Sequence, residues 1–306
     1  MKKILISITF FALTIQLYGQ QSKGYQIRPP HVSPGNVYKS TVNVISNVPS
    51  YIWHRGCGPT ALGMIIGYYD LNGFDDLFNG PSDFQTNIIN MEIASQNHYS
   101  NYSIPLDYYP NLLQDASENG NPHINNSIAD FMETSKSSRG NYWGWSWSSD
   151  IGNAFEEFIS FKNSSYITET DYEFFTAGSW NEYKTEINNN RPVIILVDTD
   201  GDNSTDHFVV GIGYDDISLE FACFDTWDSD IHWYPWQQMD NAVNWGVFGF
   251  NKFRIINPVS SINNIEEQKN IINVSDILGR ETRVVKNIPL LFHYSDGSIN
   301  KKIIVE

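Results

Sequence analysis

The sequence predicts an α+β fold in which a buried helix packs against an antiparallel sheet. Between residues 57 and 70, apolar side chains recur at helical spacing, which favours a helix that faces the core. Residues 192–197 are an almost continuous apolar run, as in a strand that is buried on both faces. Residues 206–215 and 220–227 are two further apolar segments joined by a short acidic turn, which is typical of neighbouring antiparallel strands.

Size and composition indicate a globular protein with an acidic surface. The chain has 306 residues, of which 41% are hydrophobic and 14% aromatic, so it is long enough to bury a large core. Its formal net charge is −16 at pH 7. An acidic surface repels the phosphates of nucleic acids and of anionic membranes, so neither is expected as a partner.

The N-terminal segment, residues 1–19, has the pattern of a secretory signal peptide. Lys2 and Lys3 precede an apolar run that ends near Leu17 and is too short to cross a bilayer comfortably. Cleavage is expected near Gly19, and no other segment has the length and apolarity of a transmembrane span. The sequence therefore predicts a protein that passes through the periplasm and is secreted or displayed on the cell surface.

Residues 20–40 are a polar lead-in with two turn-forming clusters, Pro29-Pro30 and Ser33-Pro34-Gly35-Asn36. Such a composition is typical of a segment without regular structure. We expect an extended, weakly structured approach to the main domain.

The predicted helix places Cys57 at its N-terminus. Pro59 suits the first turn, where its missing N–H group costs no hydrogen bond. The free N–H groups and the dipole at a helix start favour a thiolate, the nucleophilic form of cysteine. The alternative is a small buried residue that merely precedes a helix. The chain has one other cysteine, Cys223, on the strand face that also carries Asp225, so two thiols are favoured over one disulfide.

A candidate base and a candidate orienting group lie on the two antiparallel strands. His207 is near the start of the first strand and Asp225 near the end of the second, so strand pairing can bring them side by side. Together with Cys57 they have the order of a nucleophile, base and orienting group in a thiol hydrolase. His54 is closer to Cys57 in sequence and is the alternative base, although a residue three positions before a helix start usually points away from the helix.

Three short motifs in this order resemble those of papain-like cysteine peptidases, specifically the branch similar to bacteriocin double-glycine leader peptidases. They are Cys-Gly-Pro-Thr-Ala from Cys57, Asp-His-Phe-Val-x-x-Ile-Gly-Tyr from Asp206, and Phe-Asp-Thr-Trp from Phe224. The resemblance covers roughly residues 40 to 256. It implies a papain-like cysteine peptidase fold over residues 41–256, with the nucleophile on a helix that packs against an antiparallel sheet.

The resemblance also implies an activity, which is hydrolysis of peptide bonds by Cys57, His207 and Asp225. Trp227 resembles the tryptophan that covers the orienting residue in papain-like enzymes, where it forms a wall of the site. The expected partner is a peptide or protein substrate. A thiol and an imidazole supply this chemistry without a metal or an organic cofactor.

One position departs from the papain-like pattern. Such enzymes usually place a glutamine about six residues before the cysteine as an oxyanion-hole donor, and Tyr51 occupies that position here. The hydroxyl of Tyr51 or the imidazole of His54 is a candidate replacement donor. The departure leaves two other functions open: a catalytically weak or inactive surface binding protein, and a cysteine-dependent amidase or acyltransferase acting on cell-wall or peptide amides.

The loop before His207 places Asp198, Asp200 and Asp202 at alternating positions, as in calcium-binding loops. It lacks the glycine after the third aspartate and the bidentate glutamate at the end of the loop. A structural calcium ion is therefore one prediction for this segment, and a solvated hairpin turn is the alternative.

Three features of the middle of the chain stand apart from these motifs. His98 and His123 are isolated in polar loops and are expected at the surface. Residues 141–147 are dense in tryptophan, and such a segment either lines a substrate groove or packs in the core.

The C-terminal region changes in composition. Residues 257–270 are a polar linker, and residues 271–306 alternate apolar side chains around a Ser-Asp-Gly turn, which indicates a small β module. The module resembles the type A sorting domain of type IX secretion, notably in its Asp-Ile-Leu-Gly-Arg-Glu-Thr segment and its Lys-Lys-Ile-Ile ending. That resemblance implies secretion machinery at the outer membrane as a partner. A plain accessory β domain is the alternative.

Overall fold

A computed structural model describes residues 25–37, 43–102, 113–119, 123–256, 271–283, 285–294 and 299–303. The predicted signal peptide and the predicted linker lie outside these residues. The chain divides into two compact units, Met1–Ile255 and Ile256–Glu306.

The first unit combines helices with a sheet. The helices are α1 (Cys57–Leu71), α2 (Asn87–Ile93), α3 (Gln96–Asn101), α4 (Ile128–Phe131), α5 (Ser148–Lys162) and α6 (Ser179–Asn188). The strands are β1 (Asn43–Val44), β2 (Ile167–Phe174), β3 (Val193–Asp198), β4 (His207–Asp215), β5 (Glu220–Phe224), β6 (His232–Pro235) and β7 (Gly246–Ile256).

The strands form one seven-stranded sheet in the order β2-β7-β3-β4-β5-β6, with β1 paired to β4. Strand β4 lies in the middle and pairs antiparallel with both β3 and β5. Every residue of β3 is buried, which is why its sequence shows no polar alternation. The mixture of helices and antiparallel strands confirms the predicted α+β class.

Helix α1 is buried along its length, from Cys57 to Asp70. A helix that is apolar on all sides belongs in the core, and this one packs against β3 and β4. Gly58 permits the close approach, because a Cβ atom at that position would lie 3.3 Å from Cδ2 of Phe208. The helix start is thereby held against the first residues of β4.

The second unit contains a three-stranded antiparallel sheet. Its strands are β8 (Ile271–Asp276), β9 (Pro289–Tyr294) and β10 (Ile299–Ile303), with β9 in the centre. Leu290 and Phe292 of β9 are buried and form its small core. The assignment of this unit as a sorting domain stays a prediction.

Among the described residues, no helix combines the length and the apolarity that a transmembrane helix requires.

Candidate active site

Cys57 is the first residue of α1, as the sequence predicted, and its side chain is fully buried. Thr60 ties the preceding loop to the helix: its Oγ1 accepts from the His54 N–H at 2.9 Å and donates to the Gly56 carbonyl at 2.6 Å. Gly56 has φ 155°, and a Cβ there would lie 2.9 Å from Cδ of Pro59. The thiol is therefore presented by a tightly fixed helix start.

His207 is the first residue of β4 and is also fully buried. Its Nε2 lies 2.6 Å from the backbone carbonyl oxygen of Asp225. A carbonyl only accepts hydrogen bonds, so Nε2 carries the proton and the lone pair of the neutral ring is on Nδ1. Nδ1 is buried and has no hydrogen-bond partner among the described residues.

The electrostatic surroundings keep this imidazole neutral. Burial, assisted by the positive charge of Arg28, lowers the pKa of His207 to about 3, although the bond to the Asp225 carbonyl acts in the opposite direction. At neutral pH the ring is therefore an uncharged base with one available nitrogen.

Trp227 stacks on the imidazole of His207, with ring centroids 3.8 Å apart and planes 8° from parallel. The resemblance implied a tryptophan that covers the orienting residue, and here the ring covers the base itself. The Nε1–H of Trp227 donates to the backbone carbonyl of Tyr25 at 3.0 Å, which fixes the plane of the indole.

The expected contact between the Asp225 carboxylate and His207 is wrong. The carboxylate accepts hydrogen bonds from Arg28 at 2.5 Å and from the backbone N–H of Trp227 at 3.0 Å. The reason is the backbone turn at Thr226, which has φ 65° and leaves the Asp225 carbonyl, rather than its side chain, facing the ring. Burial raises the pKa of Asp225, and the charge of Arg28 opposes that shift.

Two contacts join the cysteine and histidine segments. The backbone N–H of Trp53 donates to the Thr226 carbonyl at 2.7 Å, which links the loop before the cysteine to the turn that orients the histidine. The close approach of Gly58 to Phe208 joins the residues that directly follow the two candidate groups. The nucleophile and base segments are therefore packed into one site.

The expectation that Tyr51 replaces the missing glutamine is wrong. Its ring lies beside Gly67, and its hydroxyl donates to the carbonyl of Ser82. Gly67 is ten residues from Cys57 in the same helix, a distance of about 15 Å. The hydroxyl is buried against the middle of α1 and is remote from an oxyanion at its start.

The side chain of His54 contacts a different part of the protein from His207. Its side chain hydrogen-bonds to the backbone of Ala94, and burial together with the charge of Arg55 lowers its pKa to about 4. No described contact joins the ring to His207 or to the turn at Thr226. Backbone N–H groups of the first turn of α1, which have no acceptor within the helix, remain as candidate oxyanion donors.

The tryptophan-dense loop, residues 141–147, packs over the start of α1. The ring of Trp143 meets that of Trp53 edge to face at a centroid distance of 5.4 Å. The carbonyl oxygen of Gly144 lies 3.0 Å from the position of a Cβ on Gly56. Of the two interpretations of this loop, packing against the cysteine segment is the one that the contacts support.

The acidic loop differs from the predicted ligand set. Asp198, Asp200 and Asp206 have carboxylate oxygens within 4.8 Å of one another, and Asp202 is outside this group. Asp198 accepts backbone N–H bonds from within the loop, at 2.7 Å from both Gly201 and Asn203. The carboxylate of Asp198 therefore organises the turn itself.

Sequence reasoning missed Arg28, which belongs to the lead-in that was expected to be weakly structured. Residues 25–37 contain no helix and no strand beyond a single bridge residue, and specific contacts nevertheless hold them in place. In this range Val32 closes a turn on Pro29, and Asn36 bridges to Trp233. Arg28 and Asp225 are 197 positions apart, and no local pattern connects them.

Comparison with known proteins identifies one family. No curated protein matches the chain in sequence. A family model described as the Peptidase_C39 like family matches residues 45–253, which is more than half of the chain. The matched region contains the helix that begins at Cys57, the strand that begins at His207 and the turn at Thr226. The chain therefore belongs to the Peptidase_C39-like family, a family of the cysteine peptidase type.

Proposed function

We propose that the protein hydrolyses peptide bonds with Cys57 as the nucleophile and His207 as the general base. One observation carries the proposal. The hydrogen bond from His207 Nε2 to the Asp225 carbonyl leaves the Nδ1 lone pair available in the segment that packs against the start of α1.

The chemistry follows from these groups. Nδ1 of His207 accepts the proton of the Cys57 thiol, and the sulfur attacks the carbonyl carbon of the peptide bond. First-turn N–H groups of α1 stabilise the oxyanion. The imidazolium then returns its proton to the leaving amine, which breaks the C–N bond and forms a thioester. Water, deprotonated by the same nitrogen, hydrolyses the thioester and regenerates the thiol.

Asp225 contributes to this scheme through its main chain. A backbone carbonyl fixes the Nε2–H tautomer of His207, which is the function that a side-chain oxygen was expected to perform. The scheme uses no metal ion and no organic cofactor.

A non-catalytic binding function is the second candidate. Complete burial of both Cys57 and His207 is the observation that favours it, because a substrate must displace covering groups before it can reach the sulfur. The loop of residues 141–147 packs on Gly56, directly before Cys57, and the indole of Trp227 stacks on His207.

The two candidates differ in the products they give. The protein without residues 1–19 is incubated with a peptide mixture, and new termini are identified by mass spectrometry. Cleavage that is abolished in Cys57→Ala and retained in Cys223→Ala supports the peptidase. Cleavage that persists in Cys57→Ala, or its complete absence, contradicts it. Products that carry an added amine indicate acyl transfer instead of hydrolysis.

Export and surface sorting are proposed from the two ends of the chain. Residues 1–19 would direct the protein across the inner membrane, and residues 271–306 would be recognised at the outer membrane. The compact three-stranded sheet supports a separate function for the second unit. Deletion of residues 271–306 is expected to trap the protein in the periplasm, and unchanged release into the medium would contradict this.

Calcium binding by the acidic loop is proposed with a changed ligand set. Asp198, Asp200 and Asp206 would supply the carboxylate oxygens, and burial with the charges of Asp202 and Asp200 raises the pKa of Asp198, as expected for crowded acids. Calcium should raise the thermal midpoint of unfolding of the wild type, and Asp206→Asn should reduce this effect. An identical midpoint in calcium and in chelator would contradict the site.

A further inference from the structure

We propose that Arg28, in the segment before the family-matched region, is a positioning residue for the histidine base and acts through Asp225. The inference rests on the proposed function, because it concerns the same His207. Specifically, a cation from outside the peptidase motifs maintains the turn that orients the imidazole.

Arg28 makes a network of polar contacts with this region. Its Nη2 lies 2.5 Å from Oδ2 of Asp225, 2.9 Å from Oδ2 of Asp228 and 3.3 Å from Nε2 of His232. The guanidinium carbon is 5.4 Å from the ring centroid of Trp227. The Arg28 side chain is 19% exposed and the Asp225 side chain is not exposed at all. The Asp225 end of this ion pair is therefore fully buried, whereas part of the Arg28 side chain is exposed.

The carboxylate that Arg28 binds also stabilises an uncommon backbone conformation. Oδ1 of Asp225 accepts the Trp227 N–H, and this bond closes a turn around Thr226. Thr226 has φ 65°, a conformation that a β-branched residue rarely adopts. The turn therefore depends on the Asp225 side chain remaining in place.

Three contacts connect this turn to the candidate site. The Asp225 carbonyl binds His207 Nε2, the Thr226 carbonyl binds the Trp53 N–H, and the Trp227 indole stacks on the imidazole. A displacement of the turn would alter the tautomer of the base, its covering ring and the loop before the cysteine together.

Arg28 is the main source of positive charge for the buried carboxylate. The other titratable groups around it are Asp228, which Arg28 also binds, and His232, Cys223 and Tyr234. His232 Nε2 is 3.7 Å from Oδ2 of Asp225 but 2.8 Å from Oδ1 of Asp228, so it pairs primarily with Asp228. Without Arg28, Asp225 would be a buried acid with a distant partner, and it would protonate or turn away from Trp227.

The test compares substitutions within the lead-in. Arg28→Met keeps the length of the side chain and removes its charge, whereas Arg28→Lys keeps the charge. His31→Ala is the matched control, because His31 belongs to the same segment and also contacts an acid, Asp200, at 3.4 Å, but is 60% exposed. Each variant is prepared in the mature chain, and far-UV circular dichroism verifies its fold.

The first readout is the ¹⁵N spectrum of the seven histidines, with His207 assigned by its loss in His207→Ala. At pH 7.5 the wild type should show a single neutral tautomer, protonated at Nε2. At the same pH, Arg28→Met should show a mixture of the Nδ1–H and Nε2–H tautomers, and Arg28→Lys and His31→Ala should resemble the wild type. An unchanged His207 signal in Arg28→Met would overturn the proposal.

The second readout is the rate of Cys57 alkylation at pH 8, where the neutral imidazole accepts the thiol proton as the sulfur reacts. This rate should fall roughly tenfold to a hundredfold in Arg28→Met. This rate separates the claim that Cys57 and His207 form a catalytic pair from the claim that Arg28 positions His207. A wild-type thiol that alkylates like an ordinary cysteine contradicts the proposed peptidase, whereas the histidine spectra still decide the function of Arg28.

Arg28→Met is paired with a second variant in case it does not fold. In Arg28→Met/Asp225→Asn the buried charge is gone, and the side-chain oxygen of the introduced asparagine can still accept the Trp227 N–H. This double variant should fold and recover the wild-type His207 tautomer. Failure to recover would show that charge balance at Asp225 is not how Arg28 acts, and would overturn the proposal.

Discussion

Two buried clusters of histidine and aspartate differ in the aspartate oxygen that the imidazole contacts. In the first, Nδ1 of His98 and Nε2 of His123 both contact Oδ1 of Asp130, at 2.7 Å and 2.6 Å. In the second, His207 contacts the backbone carbonyl of Asp225, whose carboxylate is bound to an arginine. Both clusters contain an imidazole nitrogen that lacks a hydrogen-bond partner among the described residues, so the acceptor is what distinguishes them.

The acceptor decides what each cluster can do. Burial raises the pKa of Asp130, but hydrogen bonds from His98 and Ser127 outweigh it and lower the pKa to about 2. Asp130 is also the N3 residue of a capping box whose N-cap is Ser127, so it fixes the start of α4. A carboxylate that is ionised and saturated with donors has a structural function. A neutral carbonyl leaves His207 uncharged, with one basic nitrogen available for chemistry.

The largest expected effect separates the two histidines by activity. His207→Ala should lower kcat for peptide hydrolysis about 10²- to 10⁴-fold, because general-base assistance is lost. His98→Ala should leave kcat per folded molecule within about threefold, since no described contact joins His98 to His207 or to the turn at Thr226. The measurement is initial rates corrected for the folded fraction. Equal losses of kcat in His207→Ala and His98→Ala would contradict the assignment of different functions to these two histidines.

Stability should show the reverse order. Asp130→Ala removes a buried charge that two histidines and the α4 cap share, and we expect a loss of about 3–5 kcal/mol in the free energy of unfolding. Denaturant unfolding followed by circular dichroism measures this loss. His207→Ala should cost less, because it removes one hydrogen bond and one ring contact. A larger loss in His207→Ala would contradict the structural assignment of Asp130.

Acid should destabilise the two clusters in different pH windows. The pKa of His207 is lowered to about 3, so below about pH 6.5 the unfolded chain binds a proton that the folded chain does not. Its contribution to stability therefore falls by up to about 1.4 kcal/mol per pH unit as pH decreases from 6.5 towards 3. Asp130, with its pKa lowered to about 2, loses its contribution only below about pH 4.

Unfolding free energies at pH 7, 6, 5 and 4 test these windows. The wild type should lose stability steadily across this range, and His207→Phe, which keeps an aromatic ring without a titrating nitrogen, should reduce the slope. A slope that is the same in both proteins would mean that His207 is protonated in the folded state.

The smallest effect is expected for Asp225→Asn. The Asp225 side chain does not contact the imidazole, and the amide oxygen of an asparagine can still accept the Trp227 N–H, so kcat should fall less than about tenfold. Steady-state kinetics measure this change, with His207→Ala as the reference. A loss as large as that of His207→Ala would mean that the carboxylate, and not the carbonyl, orients the base during the reaction.

Local sequence patterns predict the helices and strands of the site, but they do not predict the directions of its side chains. The helix that begins at Cys57 and the strand that begins at His207 were predictable, because apolar periodicity and short motifs encode them within about fifteen residues. The direction of Asp225 depends on the positive φ of Thr226, which a threonine does not indicate. The position of Tyr51 six residues before Cys57 does not indicate where its side chain lies, because the ring packs beside Gly67.

Long-range contacts explain the other errors. His98 and His123 were expected at the surface, and this was wrong because Asp130, 32 and 7 positions away, draws both into the core. The contact of Arg28 with Asp225 spans 197 positions, and a polar, proline-containing segment shows no sign of it. Such contacts are set by tertiary packing and not by composition.

The most direct test of the central claim is the pH dependence of iodoacetamide alkylation at Cys57, compared between the wild type and His207→Ala. Mass spectrometry of the Cys57 peptide separates it from Cys223, which is a buried internal control. We predict alkylation at pH 8 that is at least about tenfold faster in the wild type than in His207→Ala, because the neutral imidazole accepts the thiol proton as the sulfur reacts. Identical rates that follow an ordinary thiol pKa in both proteins would contradict a cysteine–histidine pair and leave the binding function as the better account.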